Sequence, residues 1–169
     1  MAEHTALEIP DISDIAENLK IGIVSTEWNP DIIHTMLTSA ELTLINSGLR
    51  ADQLNQIVVP GAFELPLGAK LLLESGKHDA IICLGCVIKG ETSHDQHINR
   101  AVSGGLMQLG MMSDIPIIFG VLTPNNIEQA KERSNGVKED KGKEAAITAL
   151  KMILLKHKLS KQKKKIGYA

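Results

Sequence analysis

Aromatic side chains are nearly missing from this 169-residue chain, which holds one Trp, one Tyr and two Phe. So few rings exclude binding of single-stranded nucleic acid by base stacking, which needs several exposed rings in series. Cysteine is equally scarce, with two residues, and this excludes a small disulfide-stapled scaffold. The longest apolar run, residues 80–88, is nine residues long, against roughly 20 for a helix that crosses a bilayer. There is no internal repeat and no Ser/Gly linker. The N-terminal stretch MAEHTALEIPDISDIAENL lacks a basic segment followed by an apolar one, so a cytoplasmic protein is expected, with no membrane and no nucleic-acid partner.

What remains is ample for one aliphatic core. Ile, Leu, Val, Ala and Met dominate the 43% of hydrophobic residues, and a domain of this length buries roughly 70% of its unfolded surface. The net charge of −2 is unevenly spread, because residues 156–169 carry six Lys and no acid, leaving 12 basic against 20 acidic residues before them. Residues 1–15 read as an N-terminal extension without a nameable partner, 16–158 as a single domain, and 159–169 as a basic, frayed, solvated tail.

Strand and helix signals alternate along the domain. Residues 20–26 (KIGIVST) form a continuous apolar strand, and Asn29-Pro30 then opens a helix, Asn as N-cap and Pro at the first helical position. Ile32, Ile33, Met36, Leu37, Ala40, Leu44 and Ile45 fall on one stripe at helical spacing, and Gly48 supplies a left-handed stop. Residues 57–59, 79–88 and 117–122 are further strands; 64–75, 95–112, 126–133 and 143–158 are further helices. Apolar strands joined by helices predict a parallel four-stranded sheet covered on both faces: a three-layer α/β/α sandwich of flavodoxin-like kind.

Ligands of such sheets bind beyond the carboxyl ends of the strands, so the loops there carry the chemistry. The first is Glu27-Trp28-Asn29, where a lone indole offers a flat face to a heteroaromatic ring or simply caps the core. The second, PGAFELP, places Phe63 and Glu64 after a forced turn. Glu64 suits hydroxyl groups, and equally suits the positive end of a helix dipole. The third, Lys89-Gly90-Glu91-Thr92-Ser93-His94, offers either an anion site at a helix start or a plain Ser/Thr cap. His94 adjoins it, and imidazole is the side chain suited to carrying protons near neutral pH. Arg133, one of three arginines, has the planar fork that suits phosphate.

Two motifs are set aside. Cys83 and Cys86 have C-x-x-C spacing, with His94 and His97 downstream, but residues three apart on a strand face opposite sides, so no zinc or dithiol site is expected. Gly136 to Lys143 has five residues between its glycines and Glu144 where a phosphate-binding loop needs Ser or Thr.

Taken together, TEWN, VPGAFELP, LGCVIKGETSH, PIIFGVLT and NIEQAKERS followed by Lys-Gly resemble the lumazine synthase family, over about residues 20–155. The resemblance implies condensation of 5-amino-6-ribitylamino-2,4-pyrimidinedione with 3,4-dihydroxy-2-butanone 4-phosphate to 6,7-dimethyl-8-ribityllumazine, the penultimate step of riboflavin biosynthesis, with no metal or cofactor. It assigns Trp28 to stacking on the pyrimidinedione, Ala62, Phe63 and Glu64 to the ribityl chain, and the backbone of Cys86, Val87 and Ile88 to the ring. Glu91, Thr92 and Arg133 would bind the phosphate, His94 would donate the proton, and Phe119 would arrive from a neighbouring subunit. It further implies a homopentamer, with a 60-subunit capsid left open.

The chain departs from the family pattern in two places. Trp28 stands where many members have Phe, which keeps the stacking face. Asp140 replaces an Asn before the Lys-Gly pair, setting a negative charge beside Lys141, to which no binding role is therefore given. The rival reading is a non-catalytic anion- or flavin-binding module on the same fold, which would keep Trp28 and the GETSH loop but have no need of His94.

Overall fold

In the computed structural model, residues 7–165 are described. Four strands, β1 (Ile21–Thr26), β2 (Leu54–Val59), β3 (Ala80–Cys86) and β4 (Ile117–Leu122), form one sheet. Their order is β2-β1-β3-β4, and every pairing is parallel. Five helices connect and cover them: α1 (Pro30–Asn46), α2 (Leu65–Ser75), α3 (His94–Ser113), α4 (Ile127–Ser134) and α5 (Lys141–Lys165).

Side-chain alternation along the strands builds two cores. On β3, Ala80, Ile82, Leu84 and Cys86 face one side, while Ile81 and Cys83 face the other. The first side packs on α1, α4 and α5 through Met36, Ala40, Leu44, Ala130 and Leu150. The second packs on α2 and α3 through Leu65, Leu72, Val102 and Leu106. This is the three-layer α/β/α arrangement expected from the alternating pattern, and among the described residues the buried hydrophobic ones include no aromatic ring.

Several local expectations are refined. Gly48 does take a left-handed conformation, with φ of 105° just beyond α1, whereas Ile45 at the edge of the α1 stripe is exposed. Asn29 is not a side-chain cap: its φ is 58° and its amide makes no bond to the first turn of α1. The extension before β1 is anchored, since Ile12 is buried in the core beside Ala16. At the other end the charge run suggested a frayed tail, but α5 continues to Lys165. Leu and Lys are good helix formers, and cations at a helix C-terminus offset its dipole. Tyr168 lies outside the described residues.

Candidate active site

Because all four strands are parallel, the loops after β1, β2 and β3 emerge at one end of the sheet. The crossovers from β1 and from β3 leave on opposite faces, through α1 and α3, so a crevice opens between these neighbouring strands. Asn29 bridges it, its Nδ2 donating to the Cys86 carbonyl at 3.0 Å. The Glu27 amide donates to the Val59 carbonyl at 3.0 Å, which ties the same loop to β2. Sequence reasoning took Asn29 for a helix cap and missed this role. The usable signal was that Asn, alone with Asp and Gly, readily adopts the left-handed conformation.

Trp28 is thereby held at the crevice with 71% of its surface exposed, and Phe63 is 57% exposed nearby in sequence to the turn it shares with Gly61. Gly61 is the contact point: a methyl group there would lie 3.6 Å from Trp28 Cδ1 and 3.1 Å from Glu64 Oε2. The indole and the carboxylate thus both border one stretch of backbone, with Ala62 and Glu64 half-buried in a single 3-10 turn, Ala62–Glu64. An exposed indole contributes little to a core, so capping does not account for Trp28.

Beyond β3 the ladder continues on the β4 side, where the amides of Val87 and Lys89 donate to the carbonyls of Leu122 and Pro124. Strand alternation therefore turns the backbone of Cys86 and Ile88 toward β1 and Trp28. The Cys86 carbonyl is taken by Asn29. Its thiol is no nucleophile, since burial pushes it up to about 11, and burial pushes Cys83 to about 12. The two thiols belong to opposite cores, as the strand geometry required, and among the described residues no cluster of His, Cys, Asp and Glu could hold a metal ion.

The start of α3 is open. Glu91, Thr92, Ser93 and His94 are all exposed. Ser93 occupies the cap position without a side-chain bond to the helix, and the Thr92 hydroxyl accepts only a long 3.4 Å bond from the His94 amide. A plain Ser/Thr cap is thus not what this segment forms. By contrast α4 is capped, with Asn126 Oδ1 accepting from the Gln129 amide at 2.9 Å.

Phe119 and Arg133 are elsewhere. Both line a groove of about 1480 Å³ along the unpaired edge of β4, between α3 and α5, which includes neither Trp28, Phe63, Thr92 nor His94. Within one chain Arg133 therefore does not meet the Thr92 loop.

The fold and the crevice define an open-sheet α/β protein with an exposed indole and an uncapped helix start at the carboxyl ends of its strands. The family model for 6,7-dimethyl-8-ribityllumazine synthase matches residues 18–157, and the chain belongs to that family. Proteins of this name from Phocaeicola vulgatus and Parabacteroides distasonis are 42% and 40% identical to it, over 86% and 90% of this chain and 87% and 93% of their own. One from Flavobacterium johnsoniae is 41% identical over 95% of this chain and 82% of its own.

Proposed function

We propose that this enzyme, a transferase, condenses 5-amino-6-ribitylamino-2,4-pyrimidinedione with 3,4-dihydroxy-2-butanone 4-phosphate to give 6,7-dimethyl-8-ribityllumazine. The observation that carries the reading is the crevice between β1 and β3, where exposed Trp28, the Ala62–Glu64 turn and the backbone of Ile88 share one end of the sheet, while the Val87 amide is spent on Leu122 of β4. The indole stacks on the pyrimidinedione, Phe63 borders it, Glu64 accepts from ribityl hydroxyls, and the Ile88 backbone reads the ring edge. Amine attack on the ketone, loss of water, loss of phosphate and ring closure are chiefly proton transfers between two oriented molecules. Orientation supplies much of the acceleration. His94, at the open start of α3, donates and accepts the protons, and the amides around Thr92 receive the phosphate. Glu91 contributes through its backbone, since its carboxylate would repel that ligand.

Phe119 and Arg133 complete the site from a second copy of the chain. Supporting this, the β4 groove carries exposed Met107, Met111 and Met152. Exposed Val58, Phe63, Leu67 and Leu71 form apolar surface on β2 and around α2. Apolar surface of this extent belongs in an interface. A ring of copies, each lending its groove to the next, satisfies both faces, and the pentamer implied by the family pattern is such a ring.

The test is product formation. Mixing the two substrates with the protein should generate lumazine absorbance and fluorescence well above the uncatalysed rate, and His94→Ala should slow turnover by about 10²- to 10⁴-fold. A rate equal to background would leave the binding-module reading instead.

A further inference from the structure

Glu139 has no part in the reading above, yet its carboxylate holds the place that a substrate phosphate would take. Its Oε2 lies 3.8 Å from Arg133 Nε and 3.0 Å from Lys141 Nζ. All three residues line the β4 groove. The Glu139 side chain is the most sheltered of them, 17% exposed against 34% for Arg133 and 27% for Lys141. One oxygen thus joins two cations, as a phosphoryl oxygen does in a phosphate site.

The backbone delivers this side chain. The Gly136 amide donates to the Glu139 carbonyl at 3.0 Å, and the Glu139 amide donates to the Glu132 carbonyl at 3.3 Å, folding residues 136–139 back on the end of α4. Lys141 is held further by Glu144 Oε2 at 2.8 Å. Partial burial works against its charge, but the hydrogen bonds to Glu144 and Glu139 outweigh this and keep the ammonium above the usual lysine value. Arg133 and Lys141 thus face the carboxylates of Glu139 and Glu144. Asp140, the expected source of negative charge, looks away: it accepts from Ser39 Oγ at 2.5 Å and caps α5 through the Lys143 amide at 2.9 Å.

We propose that Glu139 is a displaceable counter-ion. It occupies the Arg133–Lys141 pair in the unliganded protein, yields to the phosphate of the four-carbon substrate, and returns as inorganic phosphate leaves. The proposal rests on the assignment of Arg133 to that phosphate. A dianion entering with Glu139 in place meets two carboxylates. If the side chain rotates away, the dianion gains both cations at the expense of ion pairs that are partly exposed and therefore weak. No covalent bond changes in the exchange. Its consequence is looser phosphate binding and readier release of the phosphate product.

Inorganic phosphate, used as a competitive inhibitor against the four-carbon substrate, reads this directly. In Glu139→Gln, which keeps the size of the side chain, the inhibition constant and the KM for the phosphate-bearing substrate should both fall about three- to tenfold, with the KM for the pyrimidinedione unchanged. Glu139→Ala should give the same sign, and Glu139→Asp should remain close to the native protein. Glu132→Gln is the control, because Glu132 pairs with Lys138 at 2.8 Å and not with Lys141. Unchanged or weaker phosphate inhibition in Glu139→Gln overturns the proposal, as does an equal gain in Glu132→Gln, which would mark a general charge effect. Arg133→Ala separates the two layers of inference. If it leaves phosphate inhibition intact, the assignment of Arg133 fails; if it weakens inhibition while Glu139→Gln does not strengthen it, the counter-ion alone fails.

Discussion

The Asn29 side-chain amide and the Cys86 carbonyl are 3.0 Å apart, and the bond between them spans the one gap in the sheet where the crossovers part. It sets the loop that carries Trp28 against the end of β3. Asn29→Ala should lose this bond, worth about 0.5–1.5 kcal/mol, and also strain the left-handed backbone by about 1–2 kcal/mol. Asn29→Gly should lose the bond but relieve the strain. Urea unfolding of the two variants measures the difference, and equal losses would show that the backbone conformation at φ 58° carries no cost. In both, the KM for the pyrimidinedione should rise, because the indole loses its fixed position.

If the site is divided between copies, deficient chains should rescue one another. His94→Ala lacks the proton carrier on the crevice side, and Arg133→Ala lacks the cation on the groove side. Each variant alone should turn over well below the native rate while staying measurable. Unfolding them together and allowing mixed assemblies to form should restore a substantial fraction of native turnover, since some interfaces then pair an intact crevice with an intact groove. Failure to recover any activity in mixed assemblies would place both residues in the site of a single chain.

Gly142, the second residue of the Lys-Gly pair, owes its identity to α1. A methyl group on it would lie 2.1 Å from the Met36 carbonyl oxygen and 2.8 Å from its carbon, and Met36 is fully buried. The two helices cannot part without opening the core, so Gly142→Ala should cost about 1–3 kcal/mol even though alanine is the better helix former by about 1 kcal/mol. Thermal unfolding reads this, and an unchanged midpoint would mean that α5 shifts freely along α1.

His78 gives the fold a pH dependence remote from the site. It is 6% exposed, with its Nε2 3.1 Å from Asn55 Nδ2. Burial lowers its pKa from 6.5, opposed by the nearby Gly76 backbone, assisted by the charge of Lys20 and opposed by that of Asp79. The folded chain thus binds fewer protons at this residue than the unfolded chain, so its contribution is present above about pH 6.5 and is lost as the pH falls toward the folded value. Stability measured by denaturant between about pH 7.5 and about pH 5.5 should decline, and His78→Gln should flatten the decline. An equal slope in the variant would assign the effect to other groups.

The strands and helices were legible because each must bury an apolar surface of its own period. The run at β3 is apolar throughout since both of its faces are covered, and the β4 boundaries agree residue for residue with the sequence pattern. The scarcity of rings was legible too. All three described aromatic residues, Trp28, Phe63 and Phe119, are exposed at 71%, 57% and 44%, and the core is aliphatic. These are local or compositional properties that a chain carries whatever it folds into.

Relations between distant residues were decided elsewhere. Nothing in Asn29-Pro30 distinguishes a helix cap from a left-handed residue bonded to position 86, because the competing acceptor is 57 residues away. Nothing in the spacing of Thr92 and Arg133 says that they open onto different surfaces of one chain, Thr92 just before the start of α3 and Arg133 in the groove beside β4. Glu139 and Asp140 are adjacent acids, and only packing turned one toward Arg133 and Lys141 and the other toward Ser39. The sequence by itself determined the elements, the aliphatic core and the stock of site residues; tertiary structure decided which of them meet, because hydrogen bonds and ion pairs act over a few ångströms of space and take no account of separation along the chain.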